Sequence, residues 1–103
     1  MAIRMKQFTI HFDPETGGVR TGQTTVNFNE NIKEANAVLK GFEARFTSPG
    51  SDRDIRQIHI DLDVTSVTQH AVNVKADFGL RDASGNFDDA YAGFVQGVVI
   101  AEH

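Results

Sequence analysis

The stretch RDASGNFDDAY, residues 81–91, places five oxygen-bearing side chains, Asp82, Ser84, Asn86, Asp88 and Asp89, within eight positions between two apolar runs. Hard oxygen ligands at that density are what calcium requires, six to eight of them from a chain that curls around the ion. Asp82, Ser84, Asn86 and Asp88 recur at every second position, as the first ligands of an EF-hand loop do. The rest of that motif is missing, since Gly85 stands at the fourth position instead of the sixth and no Glu follows at the twelfth. Two readings stay open. In the first, Ser84-Gly85-Asn86 makes an ordinary tight turn, Asp82 bonds its own backbone, and Asp88 and Asp89 are solvated. In the second, Asp82, Ser84, Asn86 and Asp88 form a looser calcium loop. As a ligand surface the stretch offers Asp82, Asn86, Asp88, Asp89 and Tyr91, with Tyr91 and Phe87 the available aromatic platforms and Phe87 better suited to anchoring the loop.

A second set of chemical groups is His59, Asp61 and Asp63. Alternate residues of a strand project to one side about 6.6 Å apart, taking roughly 3.3 Å per residue. Ligands of one zinc ion sit closer together, so a metal site there needs Asp77 or His11 from another strand. The alternative is a solvated face with cross-strand ion pairs. The chain has no Cys, which removes thiol nucleophiles, thiolate metal sites and disulfides, and fits either a reducing or an oxidising compartment. It also lacks G-x-S-x-G, P-loop, G-x-G-x-x-G and H-E-x-x-H motifs. The expectation is a non-enzyme with no catalytic residues and no cofactor apart from the calcium alternative.

The elements that must position these groups read as strands. In IHIDLDV, residues 58–64, Ile58, Ile60, Leu62 and Val64 alternate with polar residues; in VNVKADFGL, residues 72–80, Val72, Val74, Ala76, Phe78 and Leu80 do the same. With TSVTQHA as the loop between them, the faces match in a register that sets Ile58 opposite Phe78 and Val64 opposite Val72. The same register puts Asp61 against Lys75 and His59 against Asp77 on the outer side. FTIHF, the turn residues DPETGG and TTVNF read as a second hairpin. Residues 94–101, FVQGVVIA, are apolar on both faces, which predicts a strand covered on both sides, by another layer or by another copy of the chain. Residues 30–46 have helical spacing at Ile32, Ala35, Leu39, Phe42 and Phe46, yet Gly41 opposes a helix and Val38, Phe42, Ala44 and Phe46 share a strand face. A strand over about 35–46 is the preferred reading, with a helix as its alternative. Five or six strands and at most one helix predict an all-β antiparallel sandwich, one domain over residues 1–103.

Composition narrows the partners. A net charge of −4 and a pI near 5.4, with no Lys/Arg cluster, argue against nucleic acid. No run of 18 apolar residues and no leader-like start occur, so membrane insertion is not expected.

The order TTVNF, IRQIHIDLDVTS, VNVKADFGLRD and VVIAE, over residues 24–102, resembles the H-type lectin domain in layout. That resemblance implies a six-stranded antiparallel sandwich, sugar binding, assembly into trimers or hexamers, and acidic loops gathered at one end. Val99 stands where that family typically carries a Trp before Ile-Ala. The function expected is a lectin-like, carbohydrate-binding module acting as a homo-oligomer. The alternatives are a structural subunit of an appendage, tail or shell, and a small enzyme built on carboxylates or His.

Overall fold

The computed structural model describes residues 2–47, 55–82 and 90–103. Six strands follow in order: β1 (Ile3–Glu15), β2 (Arg20–Asn27), β3 (Glu34–Phe46), β4 (Ile55–Thr68), β5 (Ala71–Asp82) and β6 (Tyr91–Glu102). They form two three-stranded antiparallel sheets, β1-β6-β3 and β2-β5-β4, packed face to face. The fold is the all-β sandwich that the alternating pattern predicts. Five of the six strands run 12–14 residues, and the molecule is a rod of 53 × 17 × 17 Å.

The core is the layer between the sheets. Phe8, Ile10 and Phe12 of β1, Val26 of β2, Val72, Val74, Ala76, Phe78 and Leu80 of β5, and Val95, Val99 and Ala101 of β6 are all buried there. Burying one such side chain contributes about 1.5–3 kcal/mol, which is why every second residue of each central strand is apolar. Gly97 lets the layer close: a Cβ there would lie 2.4 Å from the Phe8 ring and 3.0 Å from Leu62.

Three connections differ from the sequence expectation. First, β1 and β2 do not make a hairpin. They lie in opposite sheets, β1 bonded to β6 and β2 to β5, because the apolar sides of both strands face the core from opposite walls. Second, TSVTQHA is not a loop. Strand pairing continues to Thr68↔Ala71, and only Gln69 and His70 turn the chain, Gln69 with φ 53°. Third, the β4–β5 register is shifted by two residues, pairing Ile60 with Phe78, Leu62 with Ala76 and Val64 with Val74. The faces are kept but the outer partners change, so that Asp61 faces Asp77, Asp63 faces Lys75 and His59 faces Gly79. A bulge at Thr65 then moves the inward side from even to odd residues, so that Val67 and not Ser66 packs against the core.

The strand reading of residues 35–46 holds, as β3. A bulge at Lys40 again switches parity: Ala35, Ala37 and Leu39 share the inner side before it, and Phe42, Ala44 and Phe46 after it, while Val38 turns outward against Val98. A strand that skips one residue mimics a helical period, which is the origin of the ambiguity at Ala35, Leu39, Phe42 and Phe46.

The two ends of the rod are built differently. At one end the β2–β3 connection clamps the β4–β5 turn: Phe28 N–H donates to His70 O at 2.9 Å and Ile32 N–H to Gln69 O at 2.7 Å, with Phe28 and Ile32 buried beneath. At the other end lie the connection of residues 16–19 and the strand termini next to the two undescribed segments. There Thr47 N–H donates to Ala90 O at 2.9 Å.

Candidate functional site

Of the residues expected to bind a ligand, Ser84, Asn86, Phe87, Asp88 and Asp89 lie outside the described residues, as does the side chain of Asp82, whose backbone ends β5. Tyr91 is described, and its expected role as an exposed platform is overturned: it is fully buried. Its odd position on β6 turns the ring into the core, 5.6 Å from the Phe78 ring, and its hydroxyl donates to Gly18 O at 2.5 Å. Burying a phenol is tolerable because that hydroxyl is bonded.

Arg20 completes this arrangement. It sits at an inward position of β2, opposite Phe78, and its guanidinium lies 4.3 Å from the centre of the Tyr91 ring. It donates to Tyr91 O at 2.7 Å and to Asp13 O at 2.6 Å, and it pairs with Glu15 at 3.4 Å. One side chain thus ties β2 to β1 and β6, across both sheets. Parity is the signal in the sequence that could have found it, since a charge stands on the side that Val26 and Gly22 share.

Around the tip of β1 two grooves open, sharing His11, Phe12 and Asp13. One, of about 420 Å³, runs toward β2 over Glu15, Arg20, Thr21 and Gly22. The other, of about 320 Å³, lies against the outer side of β1-β6-β3, with Glu43, Arg45, Ala92, Gly93 and Phe94. Strand pairing builds the second groove: His11 and Glu43 flank Phe94 from β1 and β3, and Arg45 flanks Ala92 in the next row. The His11 and Phe94 rings are 6.1 Å apart and tilted by 58°, and Arg45 pairs with Glu43 at 3.4 Å. The result is a half-buried aromatic ring on a small-residue floor, rimmed by two carboxylates, a guanidinium and an imidazole. Such a surface can stack a flat apolar face and exchange hydrogen bonds in both directions around it. Neither groove is lined by Ser, Cys or Lys, so among the described residues no conventional nucleophile faces them other than the Thr21 hydroxyl.

No local pattern marked Phe94, Glu43 and Arg45. They come together only through the β1-β6-β3 order, which pairs strands more than 45 residues apart in sequence.

On the opposite sheet the carboxylate oxygens of Asp61, Asp63 and Asp77 lie within 4.8 Å of one another. His59 is not among them, and His11 is on the other sheet. Lys75 Nζ stands 3.8 Å from Asp77, and Thr21 Oγ1 donates to the same carboxylate at 2.9 Å. The face is largely exposed, its ion pair Lys75–Asp77 runs along β5 and not across strands, and Asp77 is the residue from a second strand that the metal alternative required. No helix among the described residues is long and apolar enough to cross a membrane.

Comparison with protein-family models, curated sequences and solved structures returned no match.

Proposed function

We propose that the chain is a non-enzymatic binding and assembly module that acts as a homo-oligomer and takes a saccharide in the groove over Phe94. The observation that carries this reading is the balance of that groove. Asp13 and Glu43 accept, Arg45 donates and His11 does either, around one outward aromatic ring held on a sheet. A purely anionic ligand would meet the like charges of Asp13 and Glu43 on the rim, and a purely cationic one that of Arg45. A neutral polyhydroxylated ring satisfies both kinds of group while its apolar face lies on Phe94.

A glycan array of the intact chain tests this, with Phe94→Ala as the control. Binding to at least one saccharide class is expected, weakened on the order of tenfold by Phe94→Ala. A blank array from a folded multimer removes the saccharide and leaves the second reading, a structural subunit. The exposed apolar outer face of β1-β6-β3 favours that reading.

A further inference from the structure

We propose that the outer face of β1-β6-β3 is covered by a second copy of this chain, paired antiparallel about a two-fold axis. This rests on the homo-oligomer reading above and names the surface and the geometry. The outward side chains of the three strands run in rows: Ile3, Glu102, Glu34; then Met5, Ile100, Asn36; then Gln7, Val98, Val38. Met5 is 67% exposed, Ile3 57%, Val38 48% and Ile100 36%. Ile3, Met5, Ile100, Val98 and Val38 form one contiguous apolar patch across these rows, and such a patch on a protein surface marks a place where something docks.

Docking through a sheet edge is obstructed. Of the four edge strands, β1, β3 and β4 carry register shifts, at Asp13-Pro14, Lys40 and Thr65, and β2 has only 8 residues. Bulged or short edges are poor templates for adding another strand. The face remains, and its charges select the arrangement. Glu34 and Glu102 bound the apolar rows at one end; at the other, Lys40 reaches over β6 and donates to Gln7 Oε1 at 2.9 Å. The midpoint between Glu34 and Lys40 falls between the rows of Ile100 and Val98.

A two-fold axis through that point, lying in the interface and perpendicular to the strands, sets β3 against the reversed β3 of the second copy. Lys40 then faces the Glu34 of the other chain, twice over, and Ile100 covers Val98. Pairing in the parallel sense would put Glu102 against Glu102. The rows from Gln96 to the chain end span about 25 Å. With a width of 17 Å, the two covered faces remove about 850 Å² from water, just under the roughly 1,000 Å² of a stable specific interface. The pair is therefore expected to dissociate on dilution.

Analytical ultracentrifugation of the full chain over a concentration series tests this, with circular dichroism confirming that each variant keeps its sheet. A two-chain mass at high micromolar concentration is expected. Met5→Glu or Ile100→Glu should reduce it to one chain, whereas Thr25→Glu on the opposite sheet leaves it unchanged. Lys40→Glu should weaken association at least fivefold, and Lys40→Glu combined with Glu34→Lys should restore it. A multimer indifferent to Met5→Glu and Ile100→Glu overturns this interface while leaving the homo-oligomer reading intact. A three-chain mass overturns the two-fold geometry, and a single-chain mass at every concentration overturns both proposals.

Discussion

The central strands β5 and β6 hold equivalent places, each between two antiparallel neighbours with one side on the shared core, yet their outer sides are opposites. On β5 and its neighbours the outward residues include Asn73, Lys75 and Asp77 of β5, Thr21, Gln23 and Thr25 of β2, and His59, Asp61 and Asp63 of β4. Among the described residues the apolar side chains larger than alanine on that face come down to Val19, which lies over Gly79 at its end. Side chains bond one another along that face: Thr25 Oγ1 to Asn73 Oδ1 at 2.6 Å and Asn73 Nδ2 to Ser66 Oγ at 2.8 Å. On β6 the outward residues are Phe94, Gln96, Val98, Ile100 and Glu102. Both strands satisfy the same core, so folding alone does not require the apolar outer side of β6. The difference is a surface property, and it locates both the aromatic groove and the face assigned to a second copy.

The comparison presumes that the inner sides are equivalent, and the largest expected effect tests that. Phe78 of β5 is fully buried, stacked on Phe12 with ring centres 4.7 Å apart. Phe78→Ala should cost about 3–5 kcal/mol in chemical denaturation. A loss under about 1 kcal/mol would mean the core is not shared as described. Next come the glycines. Gly97→Ala on β6 drives a methyl group into the Phe8 ring and should cost about 1–3 kcal/mol by overpacking. Gly79→Ala on β5 meets only the half-exposed Val19 side chain, at 3.0 Å, and the stiffer backbone offsets that contact, so a change within about 0.5 kcal/mol is expected. Equal costs at the two positions would mean that Gly97 does not press on Phe8 from the core side as described.

What the sequence discloses about this fold follows from period two. Ile58 to Val64 and Val72 to Leu80 alternate without interruption, and their strand character and inner sides were legible. The register was not, because a slip of two residues preserves every face and changes only which polar groups meet. The bulges at Lys40 and Thr65 were hidden for a related reason: each adds one residue and breaks the alternation, turning β3 into an apparent helix and the end of β4 into an apparent loop. The Phe94 groove and the Arg20–Tyr91 contact depend on which distant strands pair, a global outcome that no local window contains. Tyr91 was misread because a lone aromatic beside an acidic loop resembles a ligand platform until strand parity shows which way it points.

The smallest predicted effect falls on the polar face and follows from the corrected register. Asp61 stands directly across from Asp77, and like charges in opposed positions destabilise a sheet by roughly 0.2–1 kcal/mol. Lys75, 3.8 Å from Asp77, offsets part of that repulsion, and Asp63 adds to it. Asp61→Asn keeps the shape, removes one of three crowded carboxylates and leaves the Lys75–Asp77 pair intact, so stability should rise by a few tenths of a kcal/mol. The gain should shrink as salt increases, since these groups are exposed and screened within about 10 Å at 0.1 M ionic strength. Had the strands met in the register first expected, with Asp61 against Lys75, the same substitution would break an attractive pair and lower stability. The sign of this one change in a urea melt at low salt therefore reads the register directly. A loss of stability would return the β4–β5 pairing to the two-residue alternative and dissolve the acidic cluster with it.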